Sequence, residues 1–205
     1  MNSKIKVILL IISVFFSIDC FTQEEFFFNR SGLSVSDSKE LGSELNVLGL
    51  SYYSKHGFFF TGAFAASDKS ESLSESLGYL FYNHTEEGKG NTKGFLAFSY
   101  SHSLYEDSRF INMHLGVIHV FLQKSNFPFS ISGSSYYSKH LGYSSSYGYY
   151  TGYSSNYDIG FSIAYTQTFF AKNRIYPVIG ITKSFQVTNG KTQSLFLNLG
   201  FNINI

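Results

Sequence analysis

Ser101, His102 and Ser103 stand together in SYSHS, with Glu106 and Asp107 close behind. A hydroxyl, an imidazole and a carboxylate are the parts of a serine-type nucleophile: a base within hydrogen-bond reach takes the hydroxyl proton, and an acid orients the base. Local geometry works against that use. Successive residues of a strand point to opposite faces, so His102 shares a face with neither serine. His114 and His119 show no metal-ligand spacing, and Cys20 is the only cysteine, which excludes a disulfide framework and a cysteine-based metal centre. The expectation is a chain with no catalytic residues, no metal and no cofactor, hence not an enzyme.

Binding chemistry is more visible. Of the 24 residues from Ser134 to Tyr157, eight are Ser, eight Tyr and three Gly. Tyr supplies rigid amphipathic contact area, and Ser and Gly supply adaptable hydrogen bonding, the mix that antibody binding loops use. An exposed loop carrying Tyr143, Tyr147, Tyr149, Tyr150 and Tyr153 would suit an extracellular glycan or protein. The plainer alternative is a long hairpin whose tyrosines pack on one another across the strand pair. SYYSKH occurs at Ser51–His56 and again at Ser135–His140, but one match does not make a repeat architecture.

Charge narrows the partners. The net charge is +1, with only 14% charged residues against about 25% in ordinary soluble proteins. Nucleic acid, which needs an excess of Lys and Arg to meet phosphates, is not expected as a partner. Aromatic residues make up 19%, almost all Phe and Tyr, and Pro is nearly absent. Such a composition suits strands and tight turns.

The first residues read as an address. Lys4 and Lys6 precede Val7–Ile18, an apolar run of 12 residues, followed by the polar-leaning DCFTQ. This is the layout of a secretory signal peptide, and the run falls short of the roughly 20 apolar residues of a membrane-spanning helix. Residues 1–22 are expected to be the leader and 23–205 the folded domain, one domain by length. Lipidation of Cys20 is the alternative fate of this region, although Asp19 occupies a position where such sites favour a small residue.

No later stretch approaches 20 consecutive apolar residues. A membrane span would therefore have to be a closed barrel, because only helices and closed barrels satisfy every backbone polar group in lipid. Its signature is segments of about 10 residues alternating at period 2. SLFLNLGFNINI puts Leu195, Leu197, Leu199, Phe201, Ile203 and Ile205 on one face, and Asn198, Gly200, Asn202 and Asn204 on the other. DIGFSIAYTQT, GFLAFSYSH and RFINMHLGV behave alike, and six weaker segments follow the pattern. After Val117 the apolar parity slips to Ile118, Val120 and Leu122, which suggests a β-bulge.

The expected fold is all-β: an antiparallel up-and-down transmembrane barrel of about ten strands, with eight the main alternative. Its inner turns would be residues 55–57, 84–93, 123–128 and 171–174. The outer connections would be 36–44, 67–75, 103–108, the Ser/Tyr tract and 188–192. Aromatics near strand ends, among them Tyr52, Tyr53, Tyr100, Tyr136, Tyr137, Phe169, Phe170 and Tyr176, would form interfacial girdles. Phe95, Phe121 and Phe196 fall on the lumen row and point to a plugged interior. His114 shares that row with Asn112. A soluble β-sandwich also alternates, but the best rows here carry no charge.

On the leader, the alternating segments and the closing strand SLFLNLGFNINI, residues 26–205 resemble the small outer-membrane β-barrel proteins of Gram-negative bacteria, the class that includes the OmpA-type transmembrane domain. The closing strand is similar to the C-terminal signal read by the barrel-insertion machinery, except that it ends in Ile205 with Phe201 four positions back. The resemblance implies residence in the outer membrane after export, with outer-membrane lipid and the insertion machinery as partners. The role read from these features is structural or surface-binding. A small-solute or lipid-handling barrel is the second reading, and a secreted soluble β-sandwich binding domain the third.

Overall fold

Ten strands follow one another around a single closed sheet, every neighbour antiparallel. The computed structural model describes residues 31–68, 70–86, 90–104, 108–142, 157–187 and 193–205. The expected leader lies outside them. The strands are β1 (Gly32–Glu40), β2 (Asn46–Tyr53), β3 (Phe58–Ala66), β4 (Glu71–Glu86), β5 (Gly90–Ser103), β6 (Ser108–Phe121), β7 (Phe129–Gly142), β8 (Tyr157–Thr168), β9 (Ile175–Gln186) and β10 (Gln193–Asn204). β1 closes the barrel on β10, with Gly32 opposite Asn204 and Glu40 opposite Phe196. Closure leaves no unpaired edge. An even strand count also brings the start of β1 and the end of β10 to the same rim, here called the inner rim.

The alternation read from the sequence is the alternation the barrel uses. In β10, Leu199 and Phe201 are exposed on the outside while Asn198 and Asn202 are buried in the lumen. In β8, Ile159, Phe161, Ile163 and Tyr165 face out. Every strand exposes large apolar side chains on its outward row, as a lipid-facing surface requires, while Asp37, Lys39, Glu75, Arg109, Lys139 and Lys183 are charged places on those rows.

Three expectations need correction. There is no bulge after Val117: β6 pairs without a break against both β5 and β7. Ile118 and Val120 are each 1% exposed and point into the lumen, because the interior is itself apolar at that height. The slip expected there would have turned Phe121 inward. Instead it keeps the outward parity of Val117 and stacks on Phe129 at 4.7 Å. The irregularity lies in β4, between Leu80 and Tyr82. Several connections are also shorter than expected. β1 runs on through Glu40, β4 begins at Glu71, and β4 and β5 extend through most of 84–93.

Pro177 pairs with Phe201 inside β9. Its carbonyl accepts the Phe169 amide at 3.0 Å. N–H and C=O of one antiparallel residue point to the same neighbour, so the missing donor faces Phe169, one residue beyond the end of β8. The β10 side of the ladder loses nothing.

Inward aromatics are seated on glycines of the next strand. Phe59 lies opposite Gly78, Phe95 opposite Gly116 and Tyr136 opposite Gly160. At each glycine a Cβ would collide with the facing ring. Only glycine lets a ring lie this flat on the wall, which is how large side chains fit inside a narrow barrel.

Candidate functional site

The lumen divides into two halves. Toward the inner rim, Tyr53, Phe59, Phe95, Ala97, Ile118 and Val120 form a buried cluster. Phe59 and Phe95 meet edge to face, with ring centroids 6.5 Å apart. Pairs of this kind add about 0.5–1.5 kcal/mol beyond the area they bury. Tyr53 and Tyr176, expected in a girdle, are each 0% exposed instead, and Tyr53 belongs to this cluster. Alternation decides it: Tyr52 takes the outward place, so Tyr53 must point inward. The same rule turns Tyr136 inward and leaves Tyr137 outside.

Lys93 is 4% exposed within this filled half. It was expected in an inner turn. The row Phe95, Ala97 and Ser99, extended two residues back, would have placed it in the lumen. Polar groups also line this region, and the side chains of Thr61, Asn91 and Asn202 are buried there without a protein hydrogen-bond partner at one or more atoms.

Toward the outer rim the short side chains of β7 to β10 leave a cavity of about 330 Å³. Its wall carries Ser and Thr hydroxyls from β7, β8, β9 and β10, the Asn112 amide, the His114 imidazole and the Asp158 carboxylate. Phe95, Phe196 and Tyr136 supply the flat surfaces. Hydrogen bonds brace the wall: Ser134 Oγ and Ser162 Oγ are 2.8 Å apart, and Asn198 Nδ2 donates to Thr182 Oγ1 at 2.9 Å. Asn112 Nδ2 donates to Ser99 Oγ at 2.9 Å. The His114 and Tyr136 rings lie 6.0 Å apart. His114 and Asn112 thus share the lumen row, as the sequence indicated.

The serine–histidine set does not assemble. His102 follows Tyr100 on the outward row, ring centroids 5.9 Å apart, while Ser101 and Ser103 take the other parity. Glu106 and Asp107 lie outside the described residues. His119 also faces out, where its Nδ1 shares a 2.6 Å hydrogen bond with Thr92 Oγ1. Among the described residues no three His, Cys, Asp or Glu side chains gather as a metal site.

Tyr143, Tyr147, Tyr149, Tyr150 and Tyr153 lie outside the described residues. The flanks of their tract are strand: Ser134–Gly142 belongs to β7, and Tyr157 opens β8. Tyr137 and Tyr157 stack across that pair at 6.1 Å, the packing expected of a hairpin that extends beyond the bilayer. The SYYSKH copies differ in placement. In the first, Tyr53 points in, and the segment ends in an inner turn. In the second, Tyr137 points out, and the strand runs toward the outer rim. Opposite facing at opposite rims argues against a duplicated hairpin.

Neither a family model nor a curated protein matches the chain. Solved structures similar in fold are outer-membrane barrels. The outer membrane enzyme PagL matches with 10% identity over 85% of this chain and 99% of its own, at a TM-score of 0.44. The NanC porin matches with 12% identity over 84% and 100%, at 0.46. Neisserial surface protein A matches with 10% identity over 86% and 95%, at 0.33.

Proposed function

We propose that this chain is an exported outer-membrane barrel, closed to solute flow, that binds at the cell surface and performs no catalysis. The observation that carries the reading is the buried apolar cluster in the inner half of the lumen. Phe59, Phe95, Ile118 and Val120, each at most 2% exposed, pack together in the inner half. Ten strands leave room for side chains or one small ligand rather than a wide channel. Against catalysis stands the separation of His102 from both serines by strand parity.

Outer-membrane lipid covers the apolar wall. The insertion machinery reads the closing strand, and the Ser/Tyr tract around Tyr143–Tyr153 contacts an extracellular glycan or protein. Two measurements test this. Fractionation with a heat-modifiability gel should find a barrel in the outer membrane that migrates differently before and after boiling. The purified chain in planar bilayers should show no ion conductance, and open channels of stable size would discard the closed-barrel reading. For the tract, deleting residues 143–152 should abolish binding to cell-surface glycans while the barrel persists. Undiminished binding would remove the loop from the account.

A further inference from the structure

We infer that the outer half of the lumen is a dead-end binding site for one small uncharged polyhydroxylated molecule, of the size of a mono- or disaccharide. This rests on the closed-barrel reading and adds the ligand class. The cavity of about 330 Å³ lies at the lower end of ligand pockets, which run from about 300 to 1,000 Å³ and favour the mouths of barrels.

The lining selects the chemistry. Ser132, Ser134, Ser162, Thr182, Ser184 and Ser194 present hydroxyls from four neighbouring strands. Each hydroxyl can donate and accept, so together they match a ligand whose own hydroxyls do the same. Asn112 and His114 add an amide and an imidazole, groups that fix orientation. The rings of Phe95, Phe196 and Tyr136 offer flat apolar faces to the C–H surfaces of a sugar ring.

Charge excludes the other small polar ligands. A phosphate or carboxylate calls for Arg or Lys, and neither lines the cavity, whereas the Asp158 carboxylate does. An anion would meet that like charge in a confined space of low dielectric. A purely apolar ligand would take water from the wall hydroxyls not already paired with one another, at about 1–3 kcal/mol for each group left unpaired. Below the cavity lies the cluster in which Phe95 meets Phe59, and on the closed-barrel reading a bound molecule has no passage onward.

The test is calorimetric titration of the full chain, purified in detergent, with glucose, galactose, mannose, N-acetylglucosamine, maltose and sucrose, and with glucuronate and glucose 6-phosphate as anionic counterparts. At least one neutral sugar should bind saturably at one site. Each anionic counterpart should bind at least about tenfold more weakly than glucose, a difference of about 1.4 kcal/mol, and Asp158→Asn should narrow that gap. Ser184→Phe, which fills the cavity from β9, should weaken the neutral sugar at least about tenfold while the heat-modifiable band is kept. Should that variant fail to fold, Phe196→Ala serves, removing a flat face without adding bulk.

Comparing a free methyl glycoside with an oligosaccharide ending in the same unit separates a free solute from the tip of a glycan, since the glycan end would bind the longer molecule more tightly. Failure of every neutral sugar to saturate, tighter binding of the anions, or unchanged affinity in both cavity variants would overturn the inference. Conductance through the native chain would overturn the closed barrel instead, and that measurement involves no sugar.

Discussion

Phe59 of β3 lies directly across from Gly78 of β4, its ring filling the space that a methyl group on Gly78 would need. Neither residue can change alone. Gly78→Ala forces the ring off its seat in a filled lumen, an overpacking that costs about 1–3 kcal/mol. Urea unfolding of the variant in lipid vesicles should show the loss as a lowered midpoint. Adding Phe59→Ala should cost less than it does in the native background, because the two substitutions act on one contact. Strictly additive losses would show that the ring is not held by the glycine.

The orientation of the wall is tested on two neighbouring strands. Leu199 is 49% exposed on the outward row of β10, and Ser184 of β9 lines the cavity. Leu199→Arg should cost about 2–4 kcal/mol if that residue faces mid-bilayer lipid, and Ser184→Arg should cost clearly less, since lumen positions tolerate charge. Unfolding midpoints in vesicles measure both. Equal losses would contradict the assignment of faces.

Why those faces were legible, and others were not, follows from what alternation measures. It is a contrast between lipid and a polar lumen, and it was sharp in SLFLNLGFNINI because both halves of the contrast are present there. At Ile118 and Val120 the lumen is as apolar as the lipid, the contrast vanishes, and the row looked shifted by one residue. At Glu71–Glu75 the opposite happens: ESLSE carries only Leu73 as an apolar marker, so a strand reads as a loop. Lys93 was misplaced for a similar reason, since its polar neighbours between 84 and 93 hid the continuation of β4 and β5. The cavity was the least legible feature. Its serines come from four strands, and only the register of β7 to β10 shows that they share one chamber.

At the outer turns, Glu44 and Asp68 come together from the β1–β2 and β3–β4 connections. The hydrogen bond from Asp68 raises the Glu44 carboxyl above its ordinary 4.5. A raised carboxyl means that the folded protein favours the protonated form. Any stability from this contact is therefore complete below pH 4.5 and fades as the pH climbs through the raised value. A carboxyl-carbon NMR titration should find the Glu44 midpoint above 4.5, and Asp68→Ala should bring it back down. A midpoint unmoved by that substitution would remove Asp68 as the cause.

The filled inner half makes the strongest demand on the proposed function. If Phe59 and Phe95 are what block the lumen, Phe59→Ala and Phe95→Ala together should turn a silent barrel into a conducting one. Each loss of a buried ring costs about 3–5 kcal/mol in an ordinary core, so the double variant should also unfold at lower urea. A barrel whose backbone hydrogen bonds are all made between strands should survive that loss, because closure does not depend on the filling. Planar-bilayer recordings of the refolded variant should show discrete openings that the native chain lacks. A double variant that keeps its heat-modifiable band and stays silent would mean that Ile118, Val120 and the buried tyrosines are sufficient to seal the barrel.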